Sequence, residues 1–234
     1  MNVINITNLK KVYDKVAALD IPLLNIKQGE IVGIVGNNGA GKTTMLRLAL
    51  DLIEATAGEV CINGTSVSKN DDWKKITGSY LDTNFLIEFL TAEEFLYFTG
   101  EAYQLSNKEI DNRKTIFEKF LTNEITGNNK NIHEFSSGNK QKIGIVSAMI
   151  INPDILILDE PFNFLDPTSQ FELKRLLREL NVKLKTTMVI SSHNIEHILD
   201  LSSRIVLLEK GEIVKNIYND SKSAKDELRH YFEL

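Results

Sequence analysis

The sequence predicts an α/β fold carrying a mainly helical insertion, and three observations lead there. Ile31-Val32-Gly33-Ile34-Val35 is a short apolar run bounded by glycines, the pattern of a strand buried on both faces. A helix follows, with Met45, Leu46, Leu48, Ala49 and Leu52 at helical spacing. Apolar runs of the same kind return late in the chain, from Ile155 to Leu158, Met188 to Ser191 and Ile205 to Leu208, with a helix pattern from Thr168 to Leu180 after the first of them. From about Trp73 to Ile151 the pattern is helical instead.

Each element has its own warrant. Residues 2–35 read as several short strands, because Val3, Ile4, Ile6 and Leu9, then Val16 to Ile26, carry apolar and β-branched residues with polar breaks. Gly29-Glu30 is a turn signal. Glu93 to Tyr103 and Ser106 to Leu121 read as amphipathic helices, and Ser106-Asn107-Lys108-Glu109 has the Ser-x-x-Glu form of a capping box. The segment from Leu208 to Ile213 reads as a hairpin turn around Lys210-Gly211. After Asn219 the tail is short and charged, with Leu228, Tyr231 and Phe232 spaced to pack one face of a final helix.

Composition narrows the function classes. The 234 residues are 42% hydrophobic and 25% charged, which excludes collagen-like, coiled-coil and wholly disordered chains. Such a chain buries a sizeable core without disulfides, and its one cysteine, Cys61, forms none within the chain. The net charge of −5 provides no global basic field, so a nucleic-acid role would need a local patch; pairs such as Lys10-Lys11 and Lys74-Lys75 read as solvated surface, and no nucleic-acid partner is expected. Met1 to Asn5 shows no basic stretch leading into an apolar run, so no secretory signal is expected. The longest nearly apolar stretch, Ile143 to Ile151, is far short of the roughly 18 residues of a membrane span.

Two stretches carry chemistry. Gly36-Asn37-Asn38-Gly39-Ala40-Gly41-Lys42-Thr43-Thr44 matches G-x-x-x-x-G-K-[ST] and lies between a buried strand and a helix. Its glycines let successive N–H groups turn toward an anion, and the helix start adds its positive end. Lys42 is expected to reach terminal phosphates, and Thr43 to offer its hydroxyl to Mg²⁺. The pattern indicates a nucleoside triphosphate without saying how it is used. In Ile155-Leu156-Ile157-Leu158-Asp159-Glu160-Pro161, four apolar residues end in adjacent carboxylates. Side chains alternate along a strand, so the two carboxylates are expected to differ in role: Asp159 in the metal shell, Glu160 polarising the attacking water.

Phe135-Ser136-Ser137-Gly138-Asn139-Lys140-Gln141-Lys142 precedes the carboxylate strand by a helix's length, and Ser191-Ser192-His193 closes the next strand. With the loops above, these stretches resemble the nucleotide-binding domain of an ABC transporter, over nearly the whole chain and in the family's motif order. The resemblance implies a P-loop NTPase fold with a RecA-like core, an N-terminal antiparallel β subdomain and an inserted helical subdomain. One ABC ATPase domain would span 1–234, with 1–75 and 153–218 as β subdomain and core, about 76–152 as helical subdomain, and 219–234 as tail.

The same resemblance implies roles. Gly36 to Thr44 correspond to the Walker A loop, Asp159 to the Walker B magnesium residue, Glu160 to the catalytic base and His193 to the switch histidine. Phe164-Leu165-Asp166 corresponds to the D-loop, in which Asp166 organises contacts across a dimer. Tyr13 falls where the family stacks an aromatic ring on adenine, although an ordinary strand aromatic also fits there. Ser136, Ser137, Gly138 and Asn139 fall in the signature, usually Leu-Ser-Gly-Gly-Gln, with Phe135, Ser137 and Asn139 as departures from it. A helix is expected to begin there, since Ile143, Val146 and Ile150 line one face. In the family this loop serves the nucleotide of the other subunit, so two ATP molecules would be sandwiched in a head-to-tail dimer, homomeric or heteromeric. Where the family commonly has a Q-loop glutamine, an ungapped alignment places Asp82, and a shifted one Asn84.

An ATPase subunit driving a separate transmembrane permease is therefore expected, located in the cytoplasm at the inner face of the membrane and touching the membrane only through its partner. Phe85, Leu86, Ile87, Phe89 and Leu90 form a dense apolar group that reads either as the permease-docking groove or as core of the helical insertion. Leu90-Thr91-Ala92-Glu93-Glu94 and the Ser-Ser-Gly-Asn-Lys-Gln-Lys form of the signature resemble export-type ATPases of drugs, antibiotics and lipids. Two other readings stay open: a soluble ABC ATPase acting on ribosomes or DNA, and a regulatory nucleotide binder.

Overall fold

The structure, a computed structural model, describes residues 1–127, 129–219 and 226, so Leu228, Tyr231 and Phe232 lie outside the described residues. The chain divides into two compact units: Met1–Lys75 with the described residues from Thr187 onward, and Ile76–Thr186.

The first unit opens with strands β1 (Asn2–Tyr13), β2 (Val16–Lys27) and β3 (Ile31–Val35), helix α1 (Lys42–Ala49), and strands β4 (Ala57–Ile62) and β5 (Thr65–Ser66). Where the sequence suggested several short strands, β1 and β2 are a single twelve-residue hairpin pair. The apparent polar breaks are its outward face. Buried Ile4, Ile6, Leu9, Ile21 and Leu24 alternate with residues that pair across the strands, Asn5 with Asn25 at 2.8 Å and Lys10 with Asp20 at 2.7 Å. Asp14 and Lys15 turn the hairpin with φ of 44° and 72°, the left-handed pair that matches strand twist. β4 pairs with β1, and β5 with β4, giving the order β2-β1-β4-β5. These two short strands carried no clear sequence signal. Leu52, expected on α1, lies beyond the helix end and is exposed, because the helix caps at Leu50 and Asp51 turns left-handed.

The first unit resumes with β8 (Thr187–Ser192), helix α6 (Ile195–Leu201), β9 (Arg204–Glu209) and β10 (Glu212–Tyr218). β3 runs parallel to both β8 and β9, and β9 turns back into β10 through Lys210-Gly211. All five residues of β3 are buried, as the glycine-bounded run implied. Gly33 admits α6 close to the sheet: a Cβ there would lie 2.1 Å from Ile198 Cγ2.

The second unit holds β6 (Thr77–Tyr80), α2 (Ala92–Ala102), α3 (Asn107–Thr126), α4 (Ser137–Met149), β7 (Ile155–Leu158) and α5 (Pro167–Leu184). β6 and β7 are parallel. Thr91 with Glu94 and Ser106 with Glu109 form reciprocal capping boxes that start α2 and α3. The expected end of α3 at Leu121 coincides with a break at Thr122 (φ 60°, ψ 159°), after which a last helical turn continues. Residues 153–186 group with the helices here, because α4 packs on β6 and α3 on α5.

Candidate functional site

The glycine loop in the first unit joins β3 to α1. Gly39 and Gly41 take φ of 81° and 105°, so the chain turns tightly before Lys42. Gly41 is the N-cap of α1 and provides no side-chain acceptor, and the first turn holds no acidic residue. That leaves a helix start whose amides suit an anion. Lys42 is buried and folds back across the loop, donating to the carbonyl oxygens of Gly36 at 2.7 Å and Asn37 at 3.4 Å. The loop is clasped by the β9–β10 hairpin, since Gly211 N–H donates to Ala40 O at 3.0 Å. A concavity of ≈ 210 Å³ is lined by 36–40 and 207–210. Thr43 and Thr44 lie in the first turn of α1.

His193 is exposed in the β8–α6 turn. Asn194 N–H donates to Ser192 Oγ, and the Asn194 side chain caps α6 through Glu196 N–H, both at 3.0 Å, so His193 sits in a tightly bonded turn. Tyr13 ends β1, about half exposed, with Lys11 Nζ 4.9 Å from its ring centroid.

The second unit holds the carboxylates. Asp159 is buried and its N–H donates to Tyr80 O at 2.9 Å, so it still belongs to the β6–β7 pairing. Glu160 has turned left-handed (φ 47°) and is only part-buried. The two acids therefore occupy different environments. Asn163 N–H and Gln141 Nε2 both donate to Glu160 O, at 3.2 and 3.1 Å.

Ser136 is the N-cap of α4, its hydroxyl oxygen accepting from Asn139 N–H at 3.3 Å, so the helix begins where the sequence placed it. Ser137, Gly138 and Asn139 form its first turn. Gly138 abuts the loop before α5: a Cβ would lie 2.6 Å from Phe164 O. Asp166 caps α5, accepting from Ser169 N–H at 3.0 Å and Ser169 Oγ at 2.5 Å. These bonds hold its carboxyl below the usual carboxylate range.

Asp82 caps the short turn Thr83–Phe85, accepting from Asn84 N–H at 2.7 Å, so the acid has a local structural task. Its charge and burial together push the Tyr80 phenol up, burial being the larger cause. The apolar group splits between its two readings. Leu86 is 7% exposed and belongs to the core, whereas Phe85 and Phe89 are 53% and 76% exposed.

Sequence reasoning gave no role to Gln141, Tyr80 or Gly144, which lie against one another in the second unit. The available signal was a glycine, Gly144, inside the apolar half of α4; Gln141, between Lys140 and Lys142, reads as an ordinary polar position.

Comparison with known proteins agrees with this geometry. The ABC transporter family profile matches residues 19–163. The bacitracin transport ATP-binding protein BcrA of Bacillus licheniformis is 34% identical over 99% of this chain and 74% of its own. The methionine import ATP-binding protein MetN of Clostridioides difficile is 32% identical over 91% of this chain and 67% of its own. A dimeric ATP-binding cassette in a post-hydrolysis state, bound to ADP and Pi, superposes with a TM-score of 0.83 at 28% identity, covering 93% of this chain and 99% of its own. The chain belongs to the ABC transporter family, as an ATP-hydrolysing subunit of a transporter.

Proposed function

We propose that this chain closes head-to-tail with a second ATPase subunit around two ATP molecules, and that closure drives a separate transmembrane permease of the export type. The observation that carries the reading is the glycine loop, where a buried Lys42 ammonium crosses a turn of amides at the start of α1. Lys42 exchanges its carbonyl partners for the terminal phosphates, with amides of 36–44 around them. Glu160 takes the proton from the water that attacks the γ-phosphorus, and His193 bonds the γ-phosphate region. Tyr13 stacks on adenine. Ser136, Ser137, Gly138 and Asn139 serve the nucleotide of the other subunit, and Asp166 orders contacts across the dimer.

Among the described residues no group of three or more His, Cys, Asp or Glu side chains forms a cation cage. Mg²⁺ takes few protein oxygens and completes its shell with phosphate and water, so the Thr43 hydroxyl and the buried Asp159 carboxylate are donors of the right kind. Thr43 and Asp159 would hold it, with Asp82 or Asn84 near its waters, and it would neutralise charge on the phosphates.

Phe85 and Phe89 are the exposed candidates for the permease contact. No described helix is long and apolar enough to cross a membrane. In this reading the chain lies at the inner face and touches the membrane through the permease. Export is favoured by the Leu90 to Glu94 pattern and by the Ser-Ser-Gly-Asn-Lys-Gln-Lys form of the signature, against the likeness to an import protein. We retain 1–75 with 153–218, and about 76–152, as the functional subdivision.

The test uses tagged Glu160→Gln protein, expected to keep ATP, turn over at least about 100-fold more slowly and hold the dimer closed. Purification from gently solubilised membranes with ATP present should recover a multi-span membrane protein in stoichiometric amount. Recovery of ribosomes or nucleic acid alone would overturn the transporter partner, and unchanged turnover would remove Glu160 from the base role.

A further inference from the structure

Glu160 is a non-glycine residue in the left-handed region, at the point where the chain leaves β7. Such a backbone persists only where its surroundings hold it. Two bonds converge on its carbonyl oxygen. One, from Asn163 N–H, belongs to the same turn; the other comes from a side chain on α4, Gln141 Nε2 at 3.1 Å.

Gln141 is itself tightly placed. It is buried, and its amide oxygen accepts from the Tyr80 hydroxyl at 3.5 Å, so both ends of the carboxamide are engaged. The Tyr80 ring reaches this position because residue 144 lacks a side chain: a Cβ on Gly144 would lie 2.2 Å from Tyr80 Cε2. The Tyr80 carbonyl accepts from Asp159 N–H. One tyrosine thus bonds the first carboxylate residue through its backbone and the second through Gln141. Gln141 also lies one helical turn after Ser137, so it moves with the start of α4.

We propose that Gln141 is a positioning residue for Glu160: its carboxamide, oriented by Tyr80, holds the Glu160 backbone left-handed and ties the aim of the carboxylate to the placement of the signature helix. This rests on the assignment of Glu160 as the base. Gln141 touches no reacting atom. Its loss leaves the loop at Lys42 intact and turns Glu160 away from the attacking water.

The experiment measures Mg·ATP turnover and Mg·ATP affinity of the full-length protein. Gln141→Met keeps the length and removes the donor. The expected result is a kcat about 10- to 100-fold lower with KM for ATP within about twofold. In the Glu160→Gln background the same substitution should remove nothing further from the residual rate. Should Gln141→Met fail to fold, Gln141→Glu decides instead, since it keeps the shape and sets an oxygen against the Glu160 carbonyl. Tyr80→Phe, which keeps the ring on Gly144, should lower kcat in the same direction and by less. A folded Gln141 variant with parental kcat overturns the proposal, as does a loss that multiplies fully with that of Glu160→Gln. Glu160→Gln turning over at the parental rate would instead sink the base assignment and this proposal with it. A dead Glu160→Gln beside a fully active Gln141→Met would sink this proposal alone.

Discussion

Gly36 and Gly39 sit three residues apart in the same loop, and alanine should act on them through different physics. At Gly36 a Cβ would lie 2.4 Å from Leu208 O and 2.9 Å from Ala40 Cβ. Ordinary contact begins near 3.4 Å, so about 1 Å must be found. Leu208 cannot yield it, because β9 is bonded to β3 on one side and β10 on the other. The loop must move instead, and with it the Gly36 carbonyl that receives Lys42 Nζ at 2.7 Å. Overpacking of this kind costs about 1–3 kcal/mol, which for a chain of this size lowers Tm by about 2–12 °C. Displacing the phosphate-facing amides by about 1 Å should weaken Mg·ATP at least tenfold. At Gly39 nothing lies within 4 Å, and only the left-handed φ of 81° resists a side chain. That costs about 1–2 kcal/mol with no displacement of neighbours. Calorimetric titration with Mg·ATP beside thermal unfolding of both variants reads the difference. Parental affinity in Gly36→Ala, or a larger affinity loss in Gly39→Ala, would refute the clasp between the loop and β9.

Phe85→Asp should leave thermal unfolding within about 0.5 kcal/mol of the parent and lose permease co-purification, because Phe85 is already exposed. Leu86→Asp should fail to fold, since it places a charge in the core; equal behaviour of the two variants in urea unfolding would merge them into one role. Asp166→Ala removes the cap of α5 and should cost about 0.5–2 kcal/mol at neutral pH. The Ser169 bonds lower the folded-state pKa of Asp166, so its contribution is present above the unfolded value of 3.8 and fades as pH falls through the folded value. Urea midpoints of parent and variant should therefore differ at pH 7 and converge in acid; a gap that persists at the lowest pH would show that the charge is not the cause.

How far the sequence revealed this molecule depended on whether the signal was local. The start of α4 at Ser136 and the β9–β10 turn at Lys210-Gly211 follow from residue types whose conformational demands are met within a few residues, and both were legible. The long hairpin of β1 and β2 was not read as such, because Asn5 and Lys10 look like breaks until their partners Asn25 and Asp20 stand opposite them. β4 is likewise fixed by distant pairing with β1, Ile4 opposite Ile62 and Lys10 opposite Ala57, not by its own composition. In the site, the Lys42 loop was fully legible as a motif. The contact of Gln141 with Glu160 was not, since it joins α4 to the turn after β7, and the Tyr80 ring that bonds Gln141 reaches α4 only because Gly144 lacks a side chain. The division of the apolar group into a buried Leu86 and exposed Phe85 and Phe89 also needed the neighbours.

Three helix starts in this chain show how one backbone feature is directed to different ends. Each leaves its first amides without intrahelical acceptors. At α5 the need is met within the chain: Asp166 accepts from Ser169 N–H at 3.0 Å, brings its own negative charge, and Pro167 removes a donor. A phosphate would meet repulsion there and find fewer N–H groups. At α1 the cap is Gly41, with no side-chain oxygen, no acidic residue in the first turn, and a lysine folded over the loop. That start has neither a side-chain cap nor an acidic residue in its first turn, and it favours an anion most. α4 lies between them. Ser136 caps it with a neutral hydroxyl whose bond to Asn139 N–H, at 3.3 Å, is longer than either bond made by Asp166. An anion arriving at α4 need displace only that weak bond, and the first turn of the helix holds no acidic residue. The order α1, α4, α5 in anion preference is thus set by three cap residues, glycine, serine and aspartate. It matches the proposed division of labour, in which α1 holds this subunit's own nucleotide, α4 meets the nucleotide of the other subunit only on closure, and Asp166 organises protein rather than phosphate.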